Sequence, residues 1–388
     1  MMQKVQSLGG VQRVVTCLFN RIVEKEDFDV TIIAPMKSGD PDLYYVNSKI
    51  KQIPDDFFGR KPSLIRRMVK KANSLTGFFD RNILVKIVQW AYFPGQRVRK
   101  LKNFLIQEDF DIVIGASPHY SILAALALRG TRVKCIAWMH STYGSYFRRS
   151  SACFGLECLF KKVSAEFDRV LVLTRADKYE FEKNIGRETD VFYNPVTIEA
   201  KKRSILQANS LLFVGRINFH HKGVDLLVEV MRKVCDVVPQ ASLEIVGDGE
   251  PSYLEAVYSL IKKNHLENNI TLCGMSNDVG NYYERASLLL VTSKFEGFGL
   301  VITEALTHGV PVISFEASGP NEILENGSCG YLIPTFDTDE YAARVIELLK
   351  DEGKLRQFSS AALARAKAFS VDDIVGRLIT ILEQLVLG

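Results

Sequence analysis

Thr292-Ser293-Lys294-Phe295-Glu296-Gly297-Phe298-Gly299-Leu300-Val301-Ile302-Thr303-Glu304-Ala305-Leu306 decides how this chain of 388 residues is read. Just before it, Leu288-Leu289-Leu290-Val291 is a short, wholly apolar run, the mark of a parallel strand buried on both faces. Just after it, His308-Gly309-Val310-Pro311 ends a helix. The Gly297-Phe298-Gly299 turn therefore lies at a strand's carboxyl end and opens a helix. Backbone N–H groups near Gly299, Leu300 and Val301, together with the helix dipole, favour an anion such as a diphosphate, and the glycines let the backbone come close to it. Glu296 and Glu304 stand eight positions apart on either side of this turn. Carboxylates accept hydrogen bonds from vicinal hydroxyls, so the two predict a ligand with sugar rings on both sides of its phosphates. Taken alone, they fit equally a solvated loop glutamate and a glutamate that favours the helix dipole.

Upstream, Leu211-Leu212-Phe213-Val214-Gly215-Arg216-Ile217-Asn218-Phe219-His220-His221-Lys222-Gly223-Val224 reads as a second strand, basic turn and helix start. Arg216 supplies a planar fork and Lys222 a mobile point charge, a pair suited to neutralising a departing diphosphate. Singly each would be an ordinary surface charge; beside the Glu-Gly stretch they point to the same anion.

With these pieces in place the chain resembles the retaining GT-B glycosyltransferases of family 4, the group 1 type found in lipopolysaccharide, capsule and glycan assembly. The motifs stand in family order: Gly9-Gly10-Val11-Gln12-Arg13, Tyr193-Asn194-Pro195-Val196, Val214-Gly215-Arg216 with Lys222-Gly223, Ile245-Val246-Gly247-Asp248-Gly249, the stretch from Glu296 to Glu304, and Ser318-Gly319-Pro320-Asn321-Glu322-Ile323. The likeness is dense over residues 190–335 and thin before them.

The resemblance implies an α/β fold of two Rossmann-like domains whose parallel sheets face a central cleft. It implies transfer of a hexosyl or N-acetylhexosaminyl unit from a UDP-sugar, with retention, to a glycan or lipid-linked acceptor. By the family's pattern Arg216 and Lys222 hold the diphosphate in place of a metal ion, Glu304 holds the ribose hydroxyls, and Glu296 touches the donor sugar. His140, ending the strand with Trp138-Met139, matches a sugar-contacting histidine, with His119 a weaker candidate. The alternative is a histidine that merely ends a strand. Gly247 and Gly249 would admit the nucleotide, Gly274 and Met275 would line the base, and Gly9, Gly10 and Arg13 would meet the donor phosphate or acceptor. One departure stands out. The Gly9-Gly10 motif normally follows a hydrophobic first strand, and residues 1–8 are too short and polar to supply one, so the expectation is that this first strand is missing. An epimerase of the same fold and an inactive sugar-nucleotide-binding protein stand as alternatives.

Length and composition agree. A chain of 388 residues exceeds one ordinary core, and 47% hydrophobic with 24% charged residues is typical of a globular protein. Short apolar runs at Asp29-Val30-Thr31-Ile32-Ile33-Ala34, Ile112-Val113-Ile114-Gly115-Ala116, Val133-Lys134-Cys135-Ile136-Ala137-Trp138 and Arg169-Val170-Leu171-Val172-Leu173 predict one doubly wound unit. Runs near Leu211, Leu243, Ile270, Leu288 and Val312 predict another. The expected division is 1–195 on the acceptor side, 196–370 on the donor side, and a terminal helix over 371–388 packing back on the first domain. The seven cysteines make no C-x-x-C pair, so neither zinc nor a disulfide framework is expected. Without an apolar run of roughly 18 residues or a signal core, the expectation is a cytoplasmic protein.

Charge is unevenly placed. Residues 1–195 carry 31 Lys and Arg against 20 Asp and Glu, a net of +11, while residues 196–388 carry −7, which together give the overall +4. Much of the excess lies at Arg60-Lys61, Arg66-Arg67, Lys70-Lys71 and residues 97–102, interleaved with Phe57-Phe58, Phe78-Phe79, Trp90, Tyr92 and Phe93. Cations among aromatics suit an anionic bilayer, and predict peripheral docking on the inner face of the cell membrane. A solvated basic face over core aromatics is the plainer alternative. No zinc finger or RNA-recognition signature accompanies the charge, so nucleic acid is not an expected partner.

Overall fold

The computed structural model describes residues 9–25, 27–35, 45–54, 63–149, 151 and 153–387. Residues 1–8, on which the reading of a missing first strand falls, lie outside these, as do Phe57, Phe58, Arg60 and Lys61. The chain divides into two compact units, Met1–Tyr193 with Val371–Gly388, and Asn194–Ser370.

Among the described residues of the first unit come first α1 (Gly10–Ile22), β1 (Thr31–Ala34) and β2 (Lys51–Pro54). Three helices follow, α2 (Leu64–Thr76), α3 (Val85–Tyr92) and α4 (Gly95–Gln107). Then come β3 (Ile112–Gly115), α5 (Pro118–Leu128), β4 (Lys134–Trp138), α6 (Tyr143–Phe147), α7 (Glu157–Val163), β5 (Arg169–Val172), α8 (Arg175–Ile185) and β6 (Asp190–Val191). Among its described residues all strand pairs are parallel, in two sheets ordered β1-β2 and β3-β4-β5-β6. Among the described residues no pairing joins β1 to β3, although Ile33 of β1 and Val113 of β3 share one apolar core. Helix α5 is buried from Tyr120 to Leu128 because its sequence is apolar on every side. Ser117 caps it, accepting from the Tyr120 N–H.

The second unit runs β7 (Ser210–Val214), α9 (Val224–Cys235), β8 (Ser242–Val246), α10 (Pro251–Lys263), β9 (Ile270–Gly274) and α11 (Gly280–Tyr283). It continues with β10 (Leu288–Val291), α12 (Leu300–Thr307), β11 (Val312–Phe315), α13 (Ser318–Ile323), β12 (Gly330–Ile333), α14 (Thr338–Lys350) and α15 (Glu352–Ala366). Its six parallel strands stand in the order β12-β11-β10-β7-β8-β9. The order reverses between β7 and β10, and such a switch point leaves a crevice outside the strands' carboxyl ends where ligands bind. Four of the five apolar runs that predict strands here are the central ones, where Leu211, Leu243, Leu288, Leu289, Leu290 and Ile313 are all 1% exposed or less; the run at Ile270 forms β9 at the edge. A last helix, α16 (Val371–Leu387), belongs to the first unit and packs against α1, with Arg21 and Asp372 paired at 3.0 Å.

Candidate active site

The two loops that leave the switch-point strands β7 and β10 are the ones that carry the candidate cations and acids. After β7 the chain turns through Arg216 to Gly223, and Asn218 shapes this turn. Its Oδ1 accepts from the N–H groups of His221 (2.8 Å) and Lys222 (3.0 Å). After β10 the chain lies against that turn: Thr292 Oγ1 donates to the Lys222 carbonyl at 3.0 Å, and the Lys294 N–H donates to the His221 carbonyl at 2.8 Å. Gly223 sits at φ 60°, where a Cβ would meet the Thr292 carbonyl oxygen at 2.2 Å, so only glycine lets the loops come this close.

This contact brings Lys222 and Glu296 together. Lys222 Nζ donates to Glu296 Oε2 at 2.6 Å, with both side chains largely buried, and Ser293 Oγ reaches the same oxygen at 3.4 Å. Arg216 projects from the same turn, is exposed, and forms no ion pair among the described residues. Gly299, at φ 103°, caps α12, so the amides of Leu300 and Val301 open the helix without intrahelical acceptors. Gly297 and Phe298 complete the turn. Phe298 is buried, edge-on to Phe369 at 5.9 Å, and holds the helix start in place. Glu304, one turn further in, is 1% exposed. Its carboxylate accepts from Thr197 Oγ1 and from the Tyr283 hydroxyl, each at 3.1 Å. Tyr283 is itself stacked on His308 at 5.1 Å, and His308 Nδ1 lies 2.8 Å from the Glu304 carbonyl oxygen.

The remaining donor-side candidates line the same strand ends. The Gly215 N–H donates to the Val246 carbonyl, and the Gly247 N–H to that of Gly274, so the three glycines mark the ends of β7, β8 and β9. A Cβ on Gly247 would meet the Gly215 carbonyl oxygen at 1.9 Å. Gly274 is open on its side-chain face, and Met275 beside it is exposed. Gly249 bridges to Ile217 across the start of the basic turn.

His140, Gly9, Gly10 and Arg13 belong to the other unit. His140 follows β4; its backbone N–H donates to the Tyr146 hydroxyl at 2.8 Å and its ring lies 4.2 Å from that of Trp138. Burial pushes the Tyr146 phenol well above its ordinary pKa, so it stays neutral. His119, in the first turn of α5, packs between Phe93 and Tyr120. Gly9 caps α1 and Gly10 begins it, with the Arg13 N–H on the Gly9 carbonyl at 3.3 Å. A cavity of about 900 Å³ lies at the opposite ends of this unit's strands, where Arg129 pairs with Glu166 and Lys134 faces Asp168. Its charges answer one another, and it holds none of the candidates. Among the described residues no group of three His, Cys, Asp or Glu side chains is placed to hold a metal ion, and no helix is long and apolar enough to cross a membrane.

Asn218, Thr197 and Tyr283 are contributors to which the sequence reading gives no role. Asn218 had a signal, since an Asn beside a glycine-ended turn often bonds its own loop. Thr197 and Tyr283 had none, because each serves Glu304 only through the fold.

The geometry can be set beside known proteins. The family model described as Glycosyl transferases group 1 matches residues 197–365, and that of Glycosyltransferase Family 4 matches residues 8–200. The chain is 31% identical to the N-acetyl-alpha-D-glucosaminyl L-malate synthase of Bacillus anthracis over 71% of its own length and 75% of that protein's. It is 24% identical to an uncharacterized glycosyltransferase of Haemophilus influenzae over 96% and 95%. It spans only 33% and 40% of the length of two other curated relatives that it matches. Among solved structures, Anabaena HepE in complex with UDP superposes with a TM-score of 0.74 at 18% identity, covering 98% of each chain.

Proposed function

Since this chain belongs to the GT-B glycosyltransferases of family 4 and group 1, and is thus a glycosyltransferase of glycan biosynthesis, we propose a specific reaction for it. It moves a hexosyl or N-acetylhexosaminyl unit from a UDP-sugar, with retention, to a glycan or lipid-linked acceptor of surface polysaccharide. The observation that carries this reading is the largely buried Lys222–Glu296 pair at the switch point, beside the opening of α12 and the buried Glu304. HepE, similar in fold, is known in complex with UDP and with UDP and glucose, which supports the choice of nucleotide.

The diphosphate gains negative charge as the sugar leaves, so groups aimed at it bind the transition state more tightly than the ground state. Arg216, Lys222 and the amides of Leu300 and Val301 are assigned this role, without a metal ion. Lys222 exchanges Glu296 for phosphate oxygen on donor binding, which frees Glu296 to accept from donor-sugar hydroxyls. Glu304 takes the ribose hydroxyls, since a carboxylate offers about four acceptor directions and neighbouring hydroxyls need not fill them all. Gly247, Gly274 and Met275 border the nucleotide. The acceptor hydroxyl attacks the anomeric carbon on the face the diphosphate leaves. The sugar–phosphate C–O bond breaks, the new C–O bond forms, and the departing phosphate oxygen takes the proton. His140, Gly9, Gly10 and Arg13 are assigned to the acceptor or donor-phosphate side, and the protein works in the cytoplasm at the inner membrane face.

The test is protection from thermal unfolding by UDP-, GDP- and ADP-sugars, in wild type and Lys222→Ala, followed by turnover with the best donor and determination of the product's anomeric configuration. Stabilisation by a UDP-sugar, lost in Lys222→Ala, and a product of unchanged configuration are expected, because a ligand that binds only the folded state raises its stability. A folded protein that responds to no donor, or an inverted product, overturns the reading.

A further inference from the structure

Helix α2 is built inside out. Its outward stripe carries Leu64, Met68 and Leu75, spaced i, i+4 and i+11, with Ile65 beside them; all four are exposed, Met68 by 70%. Its inward row is mainly polar: Arg66, Lys70 and Asn73, with Val69 among them, are the residues the fold covers. Asn73 is fully buried, donating to the Gly155 carbonyl at 2.7 Å and accepting from the Phe79 N–H at 3.1 Å. The Arg66 guanidinium lies 4.9 Å from the Trp90 ring and the Lys70 ammonium 5.0 Å from that of Tyr92. The polar side of α2 is thus bonded into the unit, and its apolar side is left to the outside.

The neighbouring surface continues the pattern. Ile83, 93% exposed, and Ile87 lie before and on α3. Eight of the nineteen large apolar side chains exposed among the described residues fall within residues 64–90, far more than scattered surface residues would place there. Charge then decides what covers them. Residues 64–102 hold ten Lys and Arg and a single acid, Asp80. That carboxylate is turned into the fold, accepting from the N–H groups of Glu157 (3.1 Å) and Cys158 (2.8 Å). An apolar stripe whose own stretch supplies cations, with its one acid turned inward, matches acyl chains beneath anionic headgroups.

We propose that α2 and the adjoining start of α3 form a docking element for an anionic lipid bilayer, in which Leu64, Ile65, Met68, Leu75 and Ile83 enter the acyl boundary and Arg67, Lys71 and Lys86 meet the headgroups. This deepens the reading of a lipid-linked acceptor given above and rests on it for its purpose. Its test needs neither donor nor turnover, so the two can fail separately. The chain has two tryptophans. Trp138 is wholly buried in the core and Trp90 is 44% exposed at the element, so a change in emission on adding vesicles reports Trp90.

The experiment is co-sedimentation and tryptophan emission of the full chain with vesicles of phosphatidylcholine alone and vesicles one-third phosphatidylglycerol. Expected are sedimentation and a blue shift with the anionic vesicles only, weakened as salt rises from about 0.1 M to about 0.5 M. Arg67→Glu with Lys71→Glu should lower vesicle affinity by roughly ten-fold or more, and Ile65→Ser with Met68→Ser and Leu75→Ser should abolish the blue shift. All these positions are exposed, and an unchanged thermal midpoint in each variant will show that the fold is intact. Equal binding to both vesicle types, or binding indifferent to either set of substitutions, overturns the proposal. So does a folded wild-type chain that ignores anionic vesicles. Self-association through the stripe, lost in the serine variant, would then assign the face to a second copy instead.

Discussion

At the scale of single residues, Lys222 and Glu296 are 74 positions apart in sequence and 2.6 Å apart in space. A pair this close and this little exposed raises the cost of removing either member, because the other is left buried and uncompensated. Lys222→Ala should therefore lower kcat/KM by about 10²- to 10³-fold, the size of loss seen when a donor aimed at transition-state charge is removed, as measured by initial rates with the best nucleotide sugar. Tyr283→Phe is a gentler change. It takes one hydroxyl from the buried Glu304 carboxylate, and should raise donor KM by about ten-fold while leaving kcat nearly intact, with a stability loss of about 1–3 kcal/mol. An equal fall in kcat and unchanged KM would remove Tyr283 from nucleotide positioning. The residue types of the candidate site are readable because acids, cations and glycines occur in it at distinctive spacings. The hydroxyls that steady Glu304 were not, since a lone Tyr or Thr carries no pattern until the chain folds round it.

At the scale of elements, the apolar runs of the central strands were legible because a strand buried on both faces must be apolar throughout. Edge strands escape that constraint. In β2, Lys51-Gln52-Ile53-Pro54, only Ile53 is buried, and β12 at the other sheet's edge buries just Gly330 and Ile333. Lys51-Gln52-Ile53-Pro54 is mostly polar, and Gly330-Tyr331-Leu332-Ile333 leaves Tyr331 and Leu332 only part-buried, so neither run carries the mark of a strand buried on both faces. Where β7 and β8 end, the spacing of Gly215 and Gly247 leaves no room for a methyl group, so Gly247→Ala must splay the strands. It should destabilise the protein by about 1–3 kcal/mol and weaken nucleotide protection in the thermal assay. Between α14 and α15, Lys354 first and then Arg344 hold the Glu347 carboxyl well below its ordinary value of 4.5, at about 2, with the Tyr331 hydroxyl adding a bond of 3.0 Å. The folded value lies below the unfolded one. Its stabilisation is therefore present above pH 4.5 and is lost as the pH falls towards about 2. Glu347→Gln should remove about 1 kcal/mol or less at neutral pH, given solvent screening, and flatten the acid limb of a stability–pH curve measured by denaturant titration.

At the scale of the whole molecule, the last helix returns to the first unit. Helix α16 buries Ile374, Val375, Leu378, Leu382 and Leu385, and α1 beside it buries Val14, Val15, Leu18 and Ile22. At about 1.5–3 kcal/mol for each buried aliphatic side chain, loss of α16 removes as much as a typical domain's entire stability of about 5–15 kcal/mol. Deleting Val371–Gly388 should therefore unfold the first unit and leave UDP protection of the second intact, which calorimetry with and without nucleotide will show as one transition lost and one still shifted. A single transition lost altogether would mean that the units fold as one. The α/β class, the central parallel strands and the family are written in local residue types, because burial on both faces, turns that demand glycine and charges at strand ends each restrict residue type over a few neighbouring positions. That Lys222 meets Glu296, that Tyr283 and Thr197 serve Glu304, and that α2 turns its apolar stripe outward emerge only once the chain is folded. Those outcomes depend on which distant segments share a surface, and on helix faces whose inward or outward direction no local pattern records.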